Sequence, residues 1–148
     1  MRGILIGKDD LVASWAWKKY NLFPIVHCRS IGIIEDGNLV GAAIFSHYNG
    51  CDAHLSYYGK DTLTSGIFRA LALIALNDLN LTRVTLIAPK KSKRLIKAVA
   101  KFGFKLEGVQ RCFFGLHDCP RNTGVRFVIF RDQIERFARV PKVEASHG

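Results

Sequence analysis

Few side chains here can move a proton near neutral pH, and several of them fall close together: His47, Asp52 and His54, with Glu35 a short way upstream. Histidine titrates nearest neutrality and is the commonest general acid or base. Period-two alternation over Ala53 to Tyr58 sets His54, Ser56 and Tyr58 on one face of a strand and Ala53, Leu55 and Tyr57 on the other. His54 is a catalytic candidate on these grounds; the competing reading is a structural hydrogen bonder. For Glu35, which ends an apolar run just before a turn, the competing reading is a solvated carboxylate.

Metal chemistry finds little support. His117-Asp118-Cys119 and the distant His27-Cys28 are clusters too small for a structural site, and no metal is expected. Cys28, Cys51, Cys112 and Cys119 contain no CxxC pair, so they are read as free thiols in a reducing compartment.

The elements that position these residues follow from period and punctuation. Gly3 to Ile6 reads as a strand. A helix to about Asn21 follows, with Asp9 and Asp10 as N-cap and first-turn acid and Leu11, Val12, Trp15, Ala16 and Tyr20 on its apolar face. Pro24 closes that element. Ser30 to Glu35, Leu39 to Tyr48 and Ala53 to Tyr58 form a three-stranded meander turned by Asp36-Gly37-Asn38 and Asn49-Gly50. A mostly buried helix spans Leu63 to Leu79, and Arg83 to Ala88 is the continuously apolar strand of a sheet centre. Ser92 to Phe102 is a basic amphipathic helix with Gly103 at its C′ position. Strands at Lys105 to Phe114 and Val125 to Arg131 are separated by a polar loop, and a short helix from Gln133 to Arg139 follows. The phenylalanines of Arg111-Cys112-Phe113-Phe114 are assigned to the core by strand alternation. The fold class is therefore α+β: one mixed, mostly antiparallel sheet of about six to seven strands flanked by about four helices. With 148 residues there is room for one domain, taken as 1–139, and a polar tail at 140–148.

The segment Lys91 to Gly108, KSKRLIKAVAKFGFKLEG, resembles the helix-turn-strand of the GNAT N-acetyltransferases, with Phe102-Gly103-Phe104-Lys105-Leu106-Glu107-Gly108 as its most specific part. The DGNLVGAAIF hairpin and the LNDLNLTRVTL helix-to-strand passage agree, so the resemblance covers about 1–135. It implies an acyl-CoA-dependent N-acetyltransferase that moves an acetyl group from acetyl-CoA to an amine of a protein, peptide or small molecule. In that family the cofactor lies where two parallel strands splay apart, its pyrophosphate on backbone N–H groups at the start of the long helix. The resemblance assigns the pantetheine contacts to Ser56, Tyr57 and Tyr58.

The phosphate loop departs from the family pattern. It reads Gly59-Lys60-Asp61-Thr62-Leu63-Thr64-Ser65-Gly66, with threonines where paired glycines are usual. Either Lys60 and the hydroxyls of Thr62, Thr64 and Ser65 replace the glycine nest beside Gly66, or the loop only caps the helix. Ser92 and Arg94 are assigned to the cofactor from the far side, Ser92 with an N-cap as its alternative. The family's thiolate-protonating tyrosine is replaced by Val99, so the resemblance leaves that role to water or to another residue such as Tyr58, or else points to a protein that is not a conventional acetyltransferase. His117, Asp118, Arg121 and Asn122 are exposed polar candidates for acceptor recognition on a loop.

Lys and Arg number 22 against 12 Asp and Glu, a net charge of +10, which suits an anionic partner. A phosphorylated cofactor fits; nucleic acid, bound or base-modified, is the alternative, as is a non-catalytic interaction protein of the same fold. A second copy of the chain is a further candidate partner. No apolar run is long enough to span a bilayer and no signal peptide is evident, so the expected location is the cytoplasm. Compact divergent members of this kind are frequent in phage genomes, which makes a phage origin the matching expectation.

Overall fold

The computed structural model describes residues 1–59 and 63–139. Seven strands form one sheet: β1 (Arg2–Ile6), β2 (Arg29–Glu35), β3 (Asn38–Ser46), β4 (Asp52–Gly59), β5 (Arg83–Pro89), β6 (Lys105–Gln110) and β7 (Gly124–Phe130). Their order is β1-β2-β3-β4-β5-β7-β6, and every neighbouring pair is antiparallel except β4 and β5. Four α-helices accompany them: α1 (Asp9–Lys19), α2 (Ser65–Leu73), α3 (Lys93–Lys101) and α4 (Arg131–Ala138). The α+β class, the mixed sheet and the helix number agree with expectation. The tail at 140–148 lies outside the described residues.

Alternation decides which face each helix covers. Ala43, Phe45, Leu55, Val84, Leu86, Phe127 and Ile129 project to one face, where they bury Ile67, Phe68 and Leu71 of α2, Val99 of α3 and Ile134 of α4. The opposite face is covered over β2 and β3 by α1, whose Val12, Ala13 and Ala16 pack on Ala42 and Ile44. Further along that second face the register lines up Asp52 with Arg83, His54 with Thr85, and Ile87 with Arg126. This polar strip belongs to the sheet's centre.

Four local expectations need correction. Asp9 is not an N-cap: Lys8 holds that position without a side-chain bond, and Asp9 Oδ1 instead accepts from the Ser30 N–H and hydroxyl at 2.7 and 3.2 Å. The acid thus ties α1 to β2. Leu11, counted on the apolar face, is exposed, because the buried stripe is Val12, Ala13 and Ala16. The long helix does not run to Leu79 as one α-helix; α2 ends at Leu73 and passes into a π-helical turn, Ile74–Asp78. Finally, β6 stops at Gln110 because its last partner is Gly124, the first residue of β7. Phe113 and Phe114 are therefore not core residues but lie exposed in the following loop.

Candidate active site

β4 and β5 run parallel for only three pairs, Asp52 with Arg83, Ala53 with Val84 and His54 with Thr85. Beyond them β4 continues to Gly59 on the β3 ladder alone, and β5 continues to Pro89 on the β7 ladder alone. The two strands splay. Strand geometry turns alternate N–H and C=O groups toward each neighbour, so beyond His54 and Thr85 the facing edges of β4 and β5 border the gap and form no ladder with each other among the described residues.

A cleft of about 1100 Å³ occupies this gap. Its lining includes Leu55, Tyr57, Leu86 and Leu95 from the helix-covered face and His54, Ser56, Tyr58 and Ile87 from the other. It thus draws on both faces of the sheet at the place where the sheet opens. The volume slightly exceeds the roughly 300–1,000 Å³ usual for a small-molecule site. A second void, about 10 Å³ between Phe45, Phe68, Leu71 and Phe104, is only a packing gap in the core.

His54 stands at the last rung of the β4–β5 ladder. Its ring lies 5.1 Å from that of His47, whose Nδ1 is 3.0 Å from the Ser46 hydroxyl. Burial pushes the His54 pKa down, and the positive groups His47, Arg126 and Arg83 push the same way; the Asp52 carboxylate opposes them. The neutral ring is favoured. Behind it, the fully buried Thr85 hydroxyl donates to Asp52 Oδ1 at 2.9 Å and accepts from Arg83 Nη2 at 3.0 Å. Arg83 in turn grips Glu107 through two bonds of 3.0 and 2.6 Å, which holds the Glu107 carboxyl below the usual range. Asp52 is thereby a fixed member of a network, paired with Arg83 Nε at 3.4 Å.

The other site expectations separate clearly. Tyr58 shares the His54 face, meets the ring of Tyr20, the C-cap of α1, in a tilted contact at 5.6 Å, and has its pKa raised by burial against a lowering hydrogen bond from Ser56. Its phenol stays protonated at neutral pH. Ser56 and Tyr57 both line the cleft. Thr64 is the N-cap of α2, its hydroxyl accepting from the Ile67 N–H at 3.3 Å. Ser65 and Gly66 form the exposed first turn of that helix, where N–H groups lack intrahelical partners. Lys60 and Thr62 lie outside the described residues. Ser92 occupies the α3 N-cap position with no side-chain cap bond, and Arg94 is exposed in the first turn of the same helix. Glu35 is remote: it sits at the hairpin end of β2, pairs with Arg2 at 3.5 Å, and does not line the cleft.

On the loop between β6 and β7, Asn122 is buried and donates through Nδ2 to the His117 carbonyl at 2.9 Å, so it is a loop brace rather than an exposed recognition group. Asp118 pairs with Arg111 at 3.3 Å; His117 and Arg121 are exposed. The loop residues that do reach the cleft are Phe113 and Phe114, packed edge to face at 4.8 Å. Gly124 makes room for them: a Cβ there would stand 2.8 Å from Ile87 Cγ2 and 3.2 Å from Phe113 Cβ. The segment between α1 and β2, Leu22 to His27, supplies the facing wall. Sequence reasoning missed both walls. The available signal was a surplus of large apolar residues in segments bounded by Pro24 and Pro120.

Among the described residues no group of three or more His, Cys, Asp or Glu is placed to hold a metal ion, and no helix is long and apolar enough to cross a membrane. No protein-family model and no curated protein matches the chain. Solved structures do. The spermidine/spermine N-acetyltransferase SpeG of Vibrio cholerae, in mutant form, superposes with a TM-score of 0.69 over 94% of this chain and 100% of its own, at 11% identity. A probable acetyltransferase gives 0.62 over 89% and 94%, at 18% identity. The ribosomal-protein-S5-alanine acetyltransferase of Vibrio fischeri gives 0.60 over 78% and 66%, at 14% identity. At these identities the likeness is one of architecture, and the architecture of this chain is the GNAT N-acetyltransferase fold.

Proposed function

We propose that the protein is an acetyl-CoA-dependent N-acetyltransferase acting on a primary amine. The observation that supports it best is the splay of β4 from β5, which opens a cleft to both faces of the sheet with His54 at its apex. The helix-covered side receives the acyl-CoA: its pantetheine arm runs along the β4 edge from which β5 has splayed away, and its diphosphate meets the N–H groups of Ser65 and Gly66 at the start of α2. Thr64 is already committed as the helix cap, so the hydroxyl contribution falls to Ser65.

The amine enters from the opposite side. His54, neutral because it is partly buried, accepts the proton that the amine gives up as its nitrogen attacks the thioester carbonyl. Backbone N–H groups of the splayed β4 edge face the developing oxyanion. As the carbon–sulfur bond breaks, the Tyr58 phenol supplies the proton to the departing thiolate, the role for which the α3 helix offers only Val99. Isothermal titration with acetyl-CoA tests the reading directly: saturable binding at one site is expected, and its absence would refute the proposal.

A further inference from the structure

The acceptor side of the cleft differs sharply from what a polycation needs. Its two walls are the loop from Leu22 to His27 and the loop carrying Phe113 and Phe114, with Tyr48 between them at the end of β3. Phe23 is 92% exposed, Val26 65%, Tyr48 50% and Phe113 46%, so large apolar surface stands in water around one opening. Scattered exposed apolar residues need no explanation, but a contiguous set rimming a cavity marks a ligand surface. Among the described residues no Asp or Glu lines the cleft. Carboxylates on neighbouring elements have cationic or hydroxyl partners: Asp52 has Thr85 and Arg83, Glu107 has Arg83, and Asp118 has Arg111. The ionisable side chains that remain on the lining are His27, His47, His54 and tyrosines, none of which offers a negative charge near neutral pH.

From this we infer that the acceptor is a small primary amine carried on an uncharged aromatic or branched apolar body, and that di- and polycationic amines are excluded. The inference rests on the acetyl-transfer reading above and names the substrate class of that site. The apolar body replaces water on Phe113, Phe114 and Phe23, while the single amine is delivered as the free base to His54, which takes the one proton its nitrogen loses on acylation. A second or third ammonium group would be desolvated on the same walls with no carboxylate to receive it. The net charge of +10 repels such a cation before it arrives.

The test compares 2-phenylethylamine with spermidine as acceptors, following thiol release from acetyl-CoA, and in parallel measures binding of each amine to the free protein by ligand-observed NMR. The expected result is a kcat/KM for 2-phenylethylamine at least ~100-fold above that for spermidine, in line with what a pocket lacking a needed polar partner can discriminate. Phe113→Ser and Phe23→Ser, both at exposed positions that tolerate polar residues, should each raise KM for 2-phenylethylamine about tenfold while leaving the acetyl-CoA affinity within about twofold. Spermidine turned over as well as or better than 2-phenylethylamine overturns the inference and leaves the acetyl-transfer reading standing. Acetyl-CoA binding with turnover of neither amine also overturns it. The converse, 2-phenylethylamine binding that both serine variants weaken in a protein that does not bind acetyl-CoA, would sink the acetyl-transfer reading and keep the assigned ligand class.

Discussion

Replacing Thr85 by valine removes the hydroxyl that links Asp52 and Arg83 in the network behind His54. The side chain is fully buried, and valine keeps its volume, so cavity effects are small. What is lost is the hydroxyl that donates to Asp52 at 2.9 Å and accepts from Arg83 at 3.0 Å. A hydrogen bond to a charged group contributes about 1.5–3 kcal/mol. Asp52 is 18% exposed, so water recovers part of that loss, and Arg83 Nε remains 3.4 Å away. We therefore expect Thr85→Val to destabilise by about 1–2 kcal/mol, at or below the lower end of that range. For a chain of this length that corresponds to a fall in Tm of about 3–6 °C. Urea unfolding of the single variants Thr85→Val and Asp52→Ala and of the double variant completes a cycle, with an expected coupling of about 1 kcal/mol. A Thr85→Val variant within about 0.3 kcal/mol of the parent, or strictly additive single effects, would refute the network as drawn.

Two further outcomes follow from the same geometry. Burial depresses the His54 pKa, so as the pH falls the unfolded chain takes up the proton first; the stability from the neutral ring is whole above about 6.5 and is lost as the pH drops through the lower folded value. The acid limb of kcat/KM should accordingly lie below the ordinary imidazole range, and His54→Gln should lower kcat/KM by about 100-fold and abolish that limb; a limb unchanged in His54→Gln removes the histidine from the mechanism. In the core, Phe68 stacks on Phe102 at 4.4 Å and meets Phe137 and Phe104 edge-on at 5.0 and 5.7 Å, so Phe68→Ala should destabilise by about 3–5 kcal/mol in urea unfolding, and a loss under about 1 kcal/mol would contradict this packing.

How much of this was legible in the sequence divides along a physical line. The meander was readable because its turn is local: Asp36 and Gly37 adopt φ of 52° and 83°, which their residue types permit. Gly103 was readable for the same reason, at φ 97° after α3. Alternation put His54, Ser56 and Tyr58 on one face, and the β4 register bears out that placement. Asp9 misled because a first-turn acid looks like a cap whatever it actually bonds, and its true partner, Ser30, arrives from another element. Phe113 and Phe114 misled because alternating apolar residues signal a strand only while a neighbouring strand remains to pair with, and β7 begins too late to reach them.

The splay was implied only by the family resemblance; the residues themselves do not announce it, for a deeper reason. A ladder is a relation between two segments, and each strand carries the same period-two pattern whether or not its neighbour stays beside it. Nothing within Leu55–Gly59 or Leu86–Pro89 alone announces that their shared edge opens after three pairs. Each strand is held instead by its outer partner, β3 on one side and β7 on the other, and the gap is what those two ladders leave between them. The edges of the cleft are thus built largely of backbone groups whose identity no residue letter encodes. The feature that would abolish the cleft is a β4–β5 ladder continuing to Gly59, and the strands do not pair there.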